Sequence, residues 1–412
     1  MVETLTPPQV KFLPYGRQHI SQADIEAVIA VLKSDWLTQG PAVPAFEKEL
    51  AERVGAKYAV ACASGTAALH LAMLALGIGA GDEIVTSANT FLASANCARF
   101  VGAGVRFVDI NVDTGLIDCQ ALERVLRSDT DRRIKVVIPV HFTGQPADLP
   151  AIYNMARQHG AWVVDDACHA IGATYDHEGK TCPIGSNRHS DLTVFSFHPV
   201  KHVAMGEGGA VTTPSSELAE KLARLRCHGI RKNSFINNEM ATATAGEINP
   251  WYYEMQELGY NYRLTDIQAA LGTSQLRRLS WSLRRRQEIT ACYRRLLQDE
   301  FADGTVRPLA VADNITHAYH LFVVLIEFER LGVSRARVMT SLRENGIGTQ
   351  VHYIPVPLQP YYRRHCGTGA GDFPNTEKYY ARALSLPMYP DLSDTDCERV
   401  IGELKKALQS NR

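Results

Sequence analysis

Lys201 is the residue of this sequence whose surroundings best suit a reactive amine. The apolar run Thr193-Val-Phe-Ser196 precedes it, and the turn Gly206-Glu-Gly-Gly209 follows it. A lysine that binds an aldehyde as a Schiff base must be fixed at the end of a rigid element. Taken alone, a lysine is usually a solvated surface residue. The interpretation of Lys201 therefore depends on which other groups lie near it.

A carboxylate and an imidazole follow a second apolar run. Val163-Val-Asp-Asp166 reads as a buried strand, and His169 comes three positions after Asp166. A carboxylate against a pyridine nitrogen keeps that nitrogen protonated, so that the ring can accept electrons from a substrate carbon. A helix cap or an ion pair is the structural alternative for Asp166. Together with Lys201, the pattern indicates pyridoxal phosphate, with His169 as a candidate contact of the ring hydroxyl.

Three further places in the sequence provide candidate contacts for such a cofactor. Ser64-Gly65-Thr66 opens a predicted helix, whose free N–H groups and dipole favour a phosphate group. Ser196 is a second candidate phosphate donor, and Phe91 can stack on a flat ring. An ordinary helix cap is the alternative for Ser64-Gly65-Thr66, and a core phenylalanine is the alternative for Phe91.

The predicted elements place these residues at one edge of a sheet. Short β-branched runs alternate with helical patterns, which is typical of a mostly parallel, doubly wound α/β sheet. Ligands bind beyond the carboxyl ends of strands in such sheets. The predicted strands are residues 58–61, 83–86, 105–108, 135–139, 161–164, 192–195 and 209–212, with helices at 21–32, 65–76, 91–101, 118–126 and 149–159.

The C-terminal part of the sequence predicts a second, smaller α/β domain. One long helix, 265–297, is expected to lead into it, followed by strands at 319–326 and 348–353 and helices at 334–344 and 394–408. The predicted division is residues 1–264 for the N-terminal arm and large domain, and 265–412 for the bridging helix and small domain. The polar segment 232–253 is predicted to be a mobile loop.

Composition excludes several classes of partner. The net charge is −1, and the sequence contains no block of basic residues and no acidic tail. This argues against nucleic acid or an anionic membrane as a main partner. The nine cysteines are scattered without C-x-x-C spacing, so we expect neither a zinc site nor a disulfide framework. No signal peptide or membrane span is evident, and we predict a cytoplasmic protein.

Seven motifs, in order, resemble the sugar-nucleotide aminotransferases of the DegT/DnrJ/EryC1/StrS type over nearly the whole chain. The motifs are Leu37-Thr-Gln-Gly-Pro41, Ser64-Gly-Thr-Ala-Ala-Leu69, Thr90-Phe91, Asp166-Ala-Cys-His169, Ser196-Phe-His-Pro-Val-Lys201, Gly206-Glu-Gly-Gly209 and Gly259-Tyr-Asn-Tyr-Arg263. The resemblance implies the aspartate aminotransferase-like fold (pyridoxal phosphate fold type I) and a homodimer with shared active sites.

The resemblance also implies roles for individual residues. Lys201 would form the Schiff base with the cofactor, and Asn261 would reach the phosphate of the other subunit. The remaining implied cofactor contacts are Asp166 at the pyridine nitrogen, His169 at the ring hydroxyl, Phe91 on the ring face, and Ser64, Gly65, Thr66 and Ser196 around the phosphate.

Within this family, Pro14-Tyr-Gly-Arg-Gln18 and Gln350-Val-His-Tyr-Ile-Pro355 are similar to the branch that acts in pseudaminic acid biosynthesis. That similarity implies transfer of the amine of L-glutamate to C4 of a UDP-linked 4-keto-6-deoxy-N-acetylhexosamine. Another sugar-nucleotide C4 or C3 aminotransferase, or a catalytically silent homologue, is the alternative. The sugar dehydratases of the family carry histidine at the position of Lys201. The candidate substrate contacts are Thr38, Arg231, His352 and Tyr353.

Overall fold

The computed structural model describes residues 11–244 and 246–409 of the 412-residue chain. The helices are α1 Gln22–Leu32, α2 Ala42–Val54, α3 Gly65–Ala75, α4 Ala93–Phe100, α5 Cys119–Ser128, α6 Leu149–His159, α7 Ser216–Leu225, α8 Asn238–Ala241, α9 Asp266–Arg277, α10 Leu279–Glu300, α11 Phe328–Leu331, α12 Arg335–Glu344, α13 Pro360–Cys366, α14 Pro374–Arg382 and α15 Asp394–Gln409. None of these helices is long and apolar enough to cross a membrane.

The strands fall into one large sheet and three smaller ones. They are β1 Tyr58–Cys62, β2 Glu83–Ser87, β3 Gly104–Val108, β4 Ile134–Ile138, β5 Trp162–Asp166, β6 Thr174–His177, β7 Lys180–Pro183, β8 Leu192–Ser196, β9 Gly209–Thr213, β10 Ile230–Arg231, β11 Glu254–Met255, β12 Val306–Pro308, β13 Ile315–Thr316, β14 Phe322–Ile326 and β15 Ala383–Leu386.

The large sheet confirms the predicted α/β class. Its strand order is β1-β9-β8-β5-β4-β2-β3, and these seven strands are the predicted ones, with ends shifted by one or two residues. The run from β8 to β3 is parallel, whereas β9 is antiparallel to both β1 and β8. Helices cover both faces, so the strands are buried and apolar almost throughout. The carboxyl ends of β1, β5 and β8 therefore open on one edge.

The predicted long helix is wrong in one respect, because it is two helices. The break lies at Arg278, whose φ of −97° and ψ of 2° leave the helical region. α9 packs on α1 and α2, whereas α10 packs on α15. Because α9 and α10 pack on different helices, one straight helix could not make both sets of contacts. Thr265 caps α9 in a capping box with Gln268, as the Thr265-Asp266 start predicts.

The small domain contains the antiparallel sheet β12-β14-β15. The predicted strand at 319–326 is present from Phe322, but the predicted strand at 348–353 is wrong. Only Gln350 of that segment pairs with a neighbour, at Ser385, and β15 takes the edge position instead. Leu13, from the start of the described chain, is fully buried in this domain's core and bridges to Ile347. The division at 264/265 stays a prediction.

The segment after β10 projects from the large domain and returns through β11. We call residues 230–244 and 246–258 the arm. It contains the short helix α8, and β10 pairs antiparallel with β11 at its base. Seven large apolar side chains of the arm are exposed to solvent: Ile236, Met240, Ile248, Trp251, Tyr253, Met255 and Leu258. The predicted polar loop is therefore partly structured and carries an apolar surface.

Candidate active site

A cleft of about 770 Å³ lies at the carboxyl edge of the large sheet and is closed on one side by the segment that joins α12 to α13. Most of the candidate site residues line it: Ser64, Gly65, Thr66, Phe91, Asp166, His169, Ser196, Lys201, His352 and Tyr353. A volume in this range suits a ligand of cofactor or drug size.

Lys201 lies on the cleft floor, just past β8. Its Nζ is 3.4 Å from Nε2 of His320. Desolvation lowers the pKa of the Lys201 amine, while Cys168 and Asp166 oppose that shift. Such a lowering favours the neutral amine, which is the form that can attack an aldehyde or accept a proton.

Asp166 ends β5 and is held by two donors. Ser94 Oγ donates to its Oδ2 at 2.6 Å, and the backbone N–H of Cys168 donates to its Oδ1 at 3.2 Å. Its neighbour Asp165 faces the other side of the strand, where it accepts a hydrogen bond from Thr193 at 3.1 Å. Sequence reasoning missed Ser94. Its place in the first turn of α4, after the Thr90-Phe91 motif, is the signal that could have found it.

His169 and Tyr353 meet across the cleft. Tyr353 Oη lies 3.1 Å from His169 Nε2, and the backbone N–H of Tyr353 donates to Asn89 at 3.2 Å. Burial, followed by the charge of Lys201, holds the pKa of His169 well below its ordinary value. Burial raises the pKa of Tyr353. At neutral pH this pair is uncharged. His169 Nδ1 is buried and has no partner within the described part of the chain.

His320 was also missed by sequence reasoning, because it lies within an apolar pattern that reads as a strand. Its backbone N–H donates to Thr143 O at 2.8 Å, and Arg286 Nη1 donates to its carbonyl oxygen at 3.2 Å. Tyr319 and Thr143 have φ of +48° and +60°, so two strained backbone positions fix the ring beside Lys201. Burial and the Lys201 charge lower the pKa of His320 as well.

The opposite end of the cleft is built from close backbone contacts at the start of α3. Ser64 caps the helix by accepting from the N–H of Ala67 at 3.1 Å. A Cβ at Gly65 would lie 2.9 Å from Ser196 Cβ, and one at Gly209 would lie 2.3 Å from the carbonyl atoms of Ser64. The two glycines therefore let Ser64, Ser196 and the helix N-terminus converge on one spot, which suits a phosphate.

His352 forms the wall next to Tyr353. Its Nδ1 lies 2.7 Å from Ser385 Oγ, and Tyr379 Oη donates to its backbone carbonyl at 2.9 Å. Burial lowers the pKa of His352 to about 3, so this ring is neutral in the working pH range. His352 and Tyr353 come from a segment that forms no strand and is held mainly by side-chain hydrogen bonds.

Three candidate residues do not line the cleft of their own chain. Thr38 bridges to Thr265 at the start of α9. Arg231 belongs to β10 at the base of the arm. Asn261 bridges to Cys227, and its side chain is exposed to solvent. Within one chain, the structure brings none of these three side chains to Lys201.

The residues of the cleft fit pyridoxal phosphate. The crowded glycines leave a cradle at a helix N-terminus for the phosphate, Asp166 offers a carboxylate held in place from two sides, and the unpartnered His169 Nδ1 is a polar atom that a ligand can satisfy. Lys201 lies among them with a lowered amine pKa.

Known proteins match this chain along its length. The model of the DegT/DnrJ/EryC1/StrS aminotransferase family matches residues 18–405. The spore coat polysaccharide biosynthesis protein SpsC of Bacillus subtilis (strain 168) is 44% identical over 394 residues, which cover 95% of this chain and 95% of that protein.

Solved structures agree in fold. PseC of Helicobacter pylori, an aminotransferase involved in pseudoaminic acid biosynthesis, has a TM-score of 0.85 at 28% identity, covering 97% of this chain and 100% of that one. Spr1654 of Streptococcus pneumoniae, described as a sugar aminotransferase, has a TM-score of 0.84 at 28% identity in its PLP form, covering 97% and 99%. The same protein was solved in a PMP form.

These matches confirm the predicted fold type, the cofactor and the class of reaction. The family model spans all the elements that build the cleft, from β1 to β15, and the neighbouring structures carry the cofactor in its aldehyde and amine forms. The chain belongs to the DegT/DnrJ/EryC1/StrS aminotransferase family and is a pyridoxal-phosphate-dependent sugar aminotransferase.

Proposed function

We propose that this enzyme transfers the amine of L-glutamate to C4 of a UDP-linked 4-keto-6-deoxy-N-acetylhexosamine, giving UDP-4-amino-4,6-dideoxy-N-acetyl-β-L-altrosamine. The observation that carries the transamination is the joint presence of Lys201, Asp166 and His169 in one cleft. Structural similarity to PseC supports the choice of sugar.

The roles we propose for the residues follow from their contacts. Bound pyridoxal phosphate supplies an aldehyde that takes up an amine and a ring that accepts electrons. Lys201 Nζ, whose pKa is lowered by desolvation, accepts a proton from the substrate carbon and returns it. Asp166, oriented by Ser94, keeps the ring nitrogen protonated. His169 and Tyr353, both uncharged, hold the ring hydroxyl side and exclude water from it.

A second candidate is a different keto sugar, used in a surface polysaccharide. The observation that favours it is the 44% identity to SpsC, compared with 28% to PseC. The chemistry at Lys201 would be unchanged, and only the walls that contact the sugar would differ. His352 and Tyr353 are our candidates for that contact, with Thr38 and Arg231 reaching the substrate only from a second subunit or after movement.

An absorbance experiment tests these proposals. The purified enzyme is mixed with L-glutamate, and the loss of the cofactor's visible band is followed. A UDP-linked 4-keto-6-deoxy-N-acetylhexosamine of L-arabino configuration is then added. Return of the band, with an amino-sugar product identified by mass and NMR, is the expected result. Return with another keto sugar alone would favour the second candidate, and a band that never responds to L-glutamate would contradict the choice of amino donor.

We also propose that the enzyme is a homodimer in which each subunit completes the other's site. Support comes from Asn261, which is exposed on its own chain, and from the apolar surface of the arm next to it. Sedimentation should give the mass of two chains. Mixing Lys201→Ala chains with Asn261→Ala chains should form heterodimers that carry one unaltered site each, and that site should bind the cofactor with the affinity of the unmodified enzyme. A purely monomeric active enzyme would contradict this arrangement.

A further inference from the structure

A second, smaller cavity adjoins the cleft at Lys201. It has a volume of about 10 Å³, which is room for a single water-sized particle. The two cavities share Lys201. The remaining lining residues of the smaller one are Arg17, His19, His202, Ala204, Gln275, Arg278, Trp281, Ser282, Arg286 and Pro390.

The charges around this cavity are almost all of one sign. Three arginines line it together with the Lys201 amine, and no aspartate or glutamate is among its described lining residues. Arg278 is paired with the carboxylate of Asp24, which lies outside this set. Desolvation of a cationic group without a nearby anion is unfavourable. Arg286 is the buried cation of this cavity to which that cost applies.

Arg286 is the most buried of these cations, with 1% of its surface exposed. Its Nη1 donates to three backbone carbonyl oxygens, of Tyr319, His320 and Met388, at 3.0 to 3.3 Å. These carbonyls satisfy hydrogen bonds but bring no full negative charge. Burial lowers the pKa of Arg286 to about 10, which reflects the absence of a compensating carboxylate.

Two N–H donors at this cavity lack acceptors. Nε of Arg286 and Nε of Arg278 are both buried and have no hydrogen-bond partner within the described residues. A guanidinium Nε always carries a hydrogen, so each is a donor that requires an acceptor. An unsatisfied buried donor costs roughly 1–3 kcal/mol. Because both side chains line this cavity, a particle held there is a candidate acceptor for both donors.

We propose that this cavity is a binding site for one monatomic anion, chloride in ordinary media, held by the Nε–H groups of Arg278 and Arg286 behind Lys201. An anion satisfies both donors and also compensates the buried charge, whereas a water satisfies only the donors. Arg17 also lines the cavity and is exposed to solvent. The chloride concentration of the medium would then determine whether the cavity beside Lys201 is occupied.

A water molecule is the competing occupant. His202 Nε2 donates to the carbonyl oxygen of Ala318 at 2.8 Å, so the other ring nitrogen of the neutral imidazole is an acceptor without a partner. A water could accept from the two arginines and donate to this nitrogen. The experiment must therefore distinguish an ion from a water rather than detect occupancy alone.

Bromide provides that distinction, because it scatters anomalously and water does not. Crystals of the holoenzyme grown in bromide should show an anomalous peak between the Nε atoms of Arg278 and Arg286. The Tm in solution should rise by about 2 °C for each tenfold increase in chloride above the dissociation constant, with gluconate keeping the ionic strength fixed. Neither readout depends on the sugar or on turnover, so failure here is separate from failure of the proposed function.

A matched pair of variants tests the residues. Arg278→Lys keeps a cation for Asp24 but removes the Nε–H donor, and the chloride dependence of Tm should disappear. Arg277→Lys is the control, because Arg277 precedes it on α9, is exposed and pairs with Glu49 at 3.5 Å. It should keep the full dependence. A cavity without an anomalous peak, a Tm insensitive to chloride, or a peak seen only at crystal concentrations with no Tm effect would each overturn the proposal.

Discussion

Folded proteins usually bury apolar side chains and expose polar ones. The floor of the cleft departs from this by burying polar groups, and the arm departs from it by exposing apolar groups. On the floor, a carboxylate, a lysine and several imidazoles are buried together. On the arm, seven large apolar side chains lie in solvent, with Trp251 74% exposed. Buried polar groups and exposed apolar groups are each the informative exception in a folded protein. Both regions are therefore candidates for function, and we propose chemistry for the floor and association for the arm.

The two regions also differ in how they are held. Asp166 stands at the end of β5, Lys201 just past the end of β8, and His320 directly after the strained backbone position of Tyr319. The arm depends mainly on one carboxylate: Glu254 accepts hydrogen bonds from the backbone N–H groups of Ile236 and Asn237, from Tyr252 and from Gln256. Substitutions on the floor should therefore alter chemistry without loss of fold, whereas changes in the arm should alter association first.

The largest effect is expected at Lys201. Lys201→Ala removes the amine that holds the cofactor and moves the proton, so turnover should fall by at least ~10²–10⁴-fold. The fold and some cofactor binding should persist, which circular dichroism and cofactor titration can check. Lys48→Ala, on the exposed face of α2, is the control and should keep full activity. Full activity of Lys201→Ala would remove this residue from the mechanism.

Asp166 and Asp165 are neighbours on β5 that face opposite sides of the strand, so substitutions of the two can be compared directly. Asp166→Ala should lower kcat by roughly 10²–10³-fold, because the ring nitrogen would lose its charged partner. Asp165→Asn is the matched change on the other face of β5. It disturbs the hydrogen bond from Thr193 and should lower the Tm more than kcat. Equal losses of kcat in both variants would show that burial of the pair, and not the position of Asp166, matters.

On the arm, Trp251→Ser tests recognition. A large exposed aromatic that becomes buried on association should weaken the dimer by at least about 30-fold. Analytical ultracentrifugation across protein concentration measures the change. Trp162→Ser is the control, because Trp162 is also partly exposed but lies at the start of β5, at the opposite end of that strand from the cleft. Identical association of both variants with the unmodified protein would contradict a role of the arm.

The effect expected at Asn261 is a loss of cofactor affinity, and it is smaller than the effects above. Asn261→Ala should weaken cofactor binding by roughly tenfold if this side chain donates one hydrogen bond to the phosphate of the partner's site. Cofactor titration of the apo protein measures it. An unaltered affinity in a confirmed dimer would place the phosphate contact elsewhere.

The smallest effect concerns the pH dependence of the arm. Desolvation opposes the shift, but the hydrogen bonds that Glu254 accepts lower its pKa to about 2. A lowered carboxyl pKa means that its contribution is complete above the ordinary value and is lost as the pH falls towards 2. The protection of the arm amides against hydrogen exchange, expressed relative to the intrinsic exchange rate at each pH, should therefore fall between about pH 4.5 and 2. Glu254→Gln should show low protection at neutral pH, and protection that does not change with pH would contradict the anchor.

The large sheet could be predicted from sequence because its strands are short, apolar and separated by capped helices. The helix starts at Ser64 and Thr265 carry their own caps in the sequence. The break at Arg278 could not be predicted from the sequence, because α9 and α10 both keep helical periodicity. They differ only in the helices on which they pack.

The candidate site was predictable to the extent that its residues sit in motifs next to strand ends. Lys201 and Asp166 are such residues. Ser94 and His320 are not: the one local signal for Ser94 is its position just after Thr90-Phe91, and a histidine within an apolar run carries none. Their importance follows from contacts across the fold, with Asp166 at 2.6 Å and Lys201 at 3.4 Å respectively.

The burial of Leu13 in the core of the small domain has a consequence for synthesis on the ribosome. That core also contains residues of α15, such as Leu404 and Leu408, so the two ends of the described chain pack in one cluster. Because the ribosomal tunnel holds the most recently made residues, this core cannot close until α15 has left the tunnel. The large sheet can form earlier, before α15 is made. A nascent chain would thus keep Leu13 uncovered until α15 emerges, the interval in which a chaperone would have most to protect.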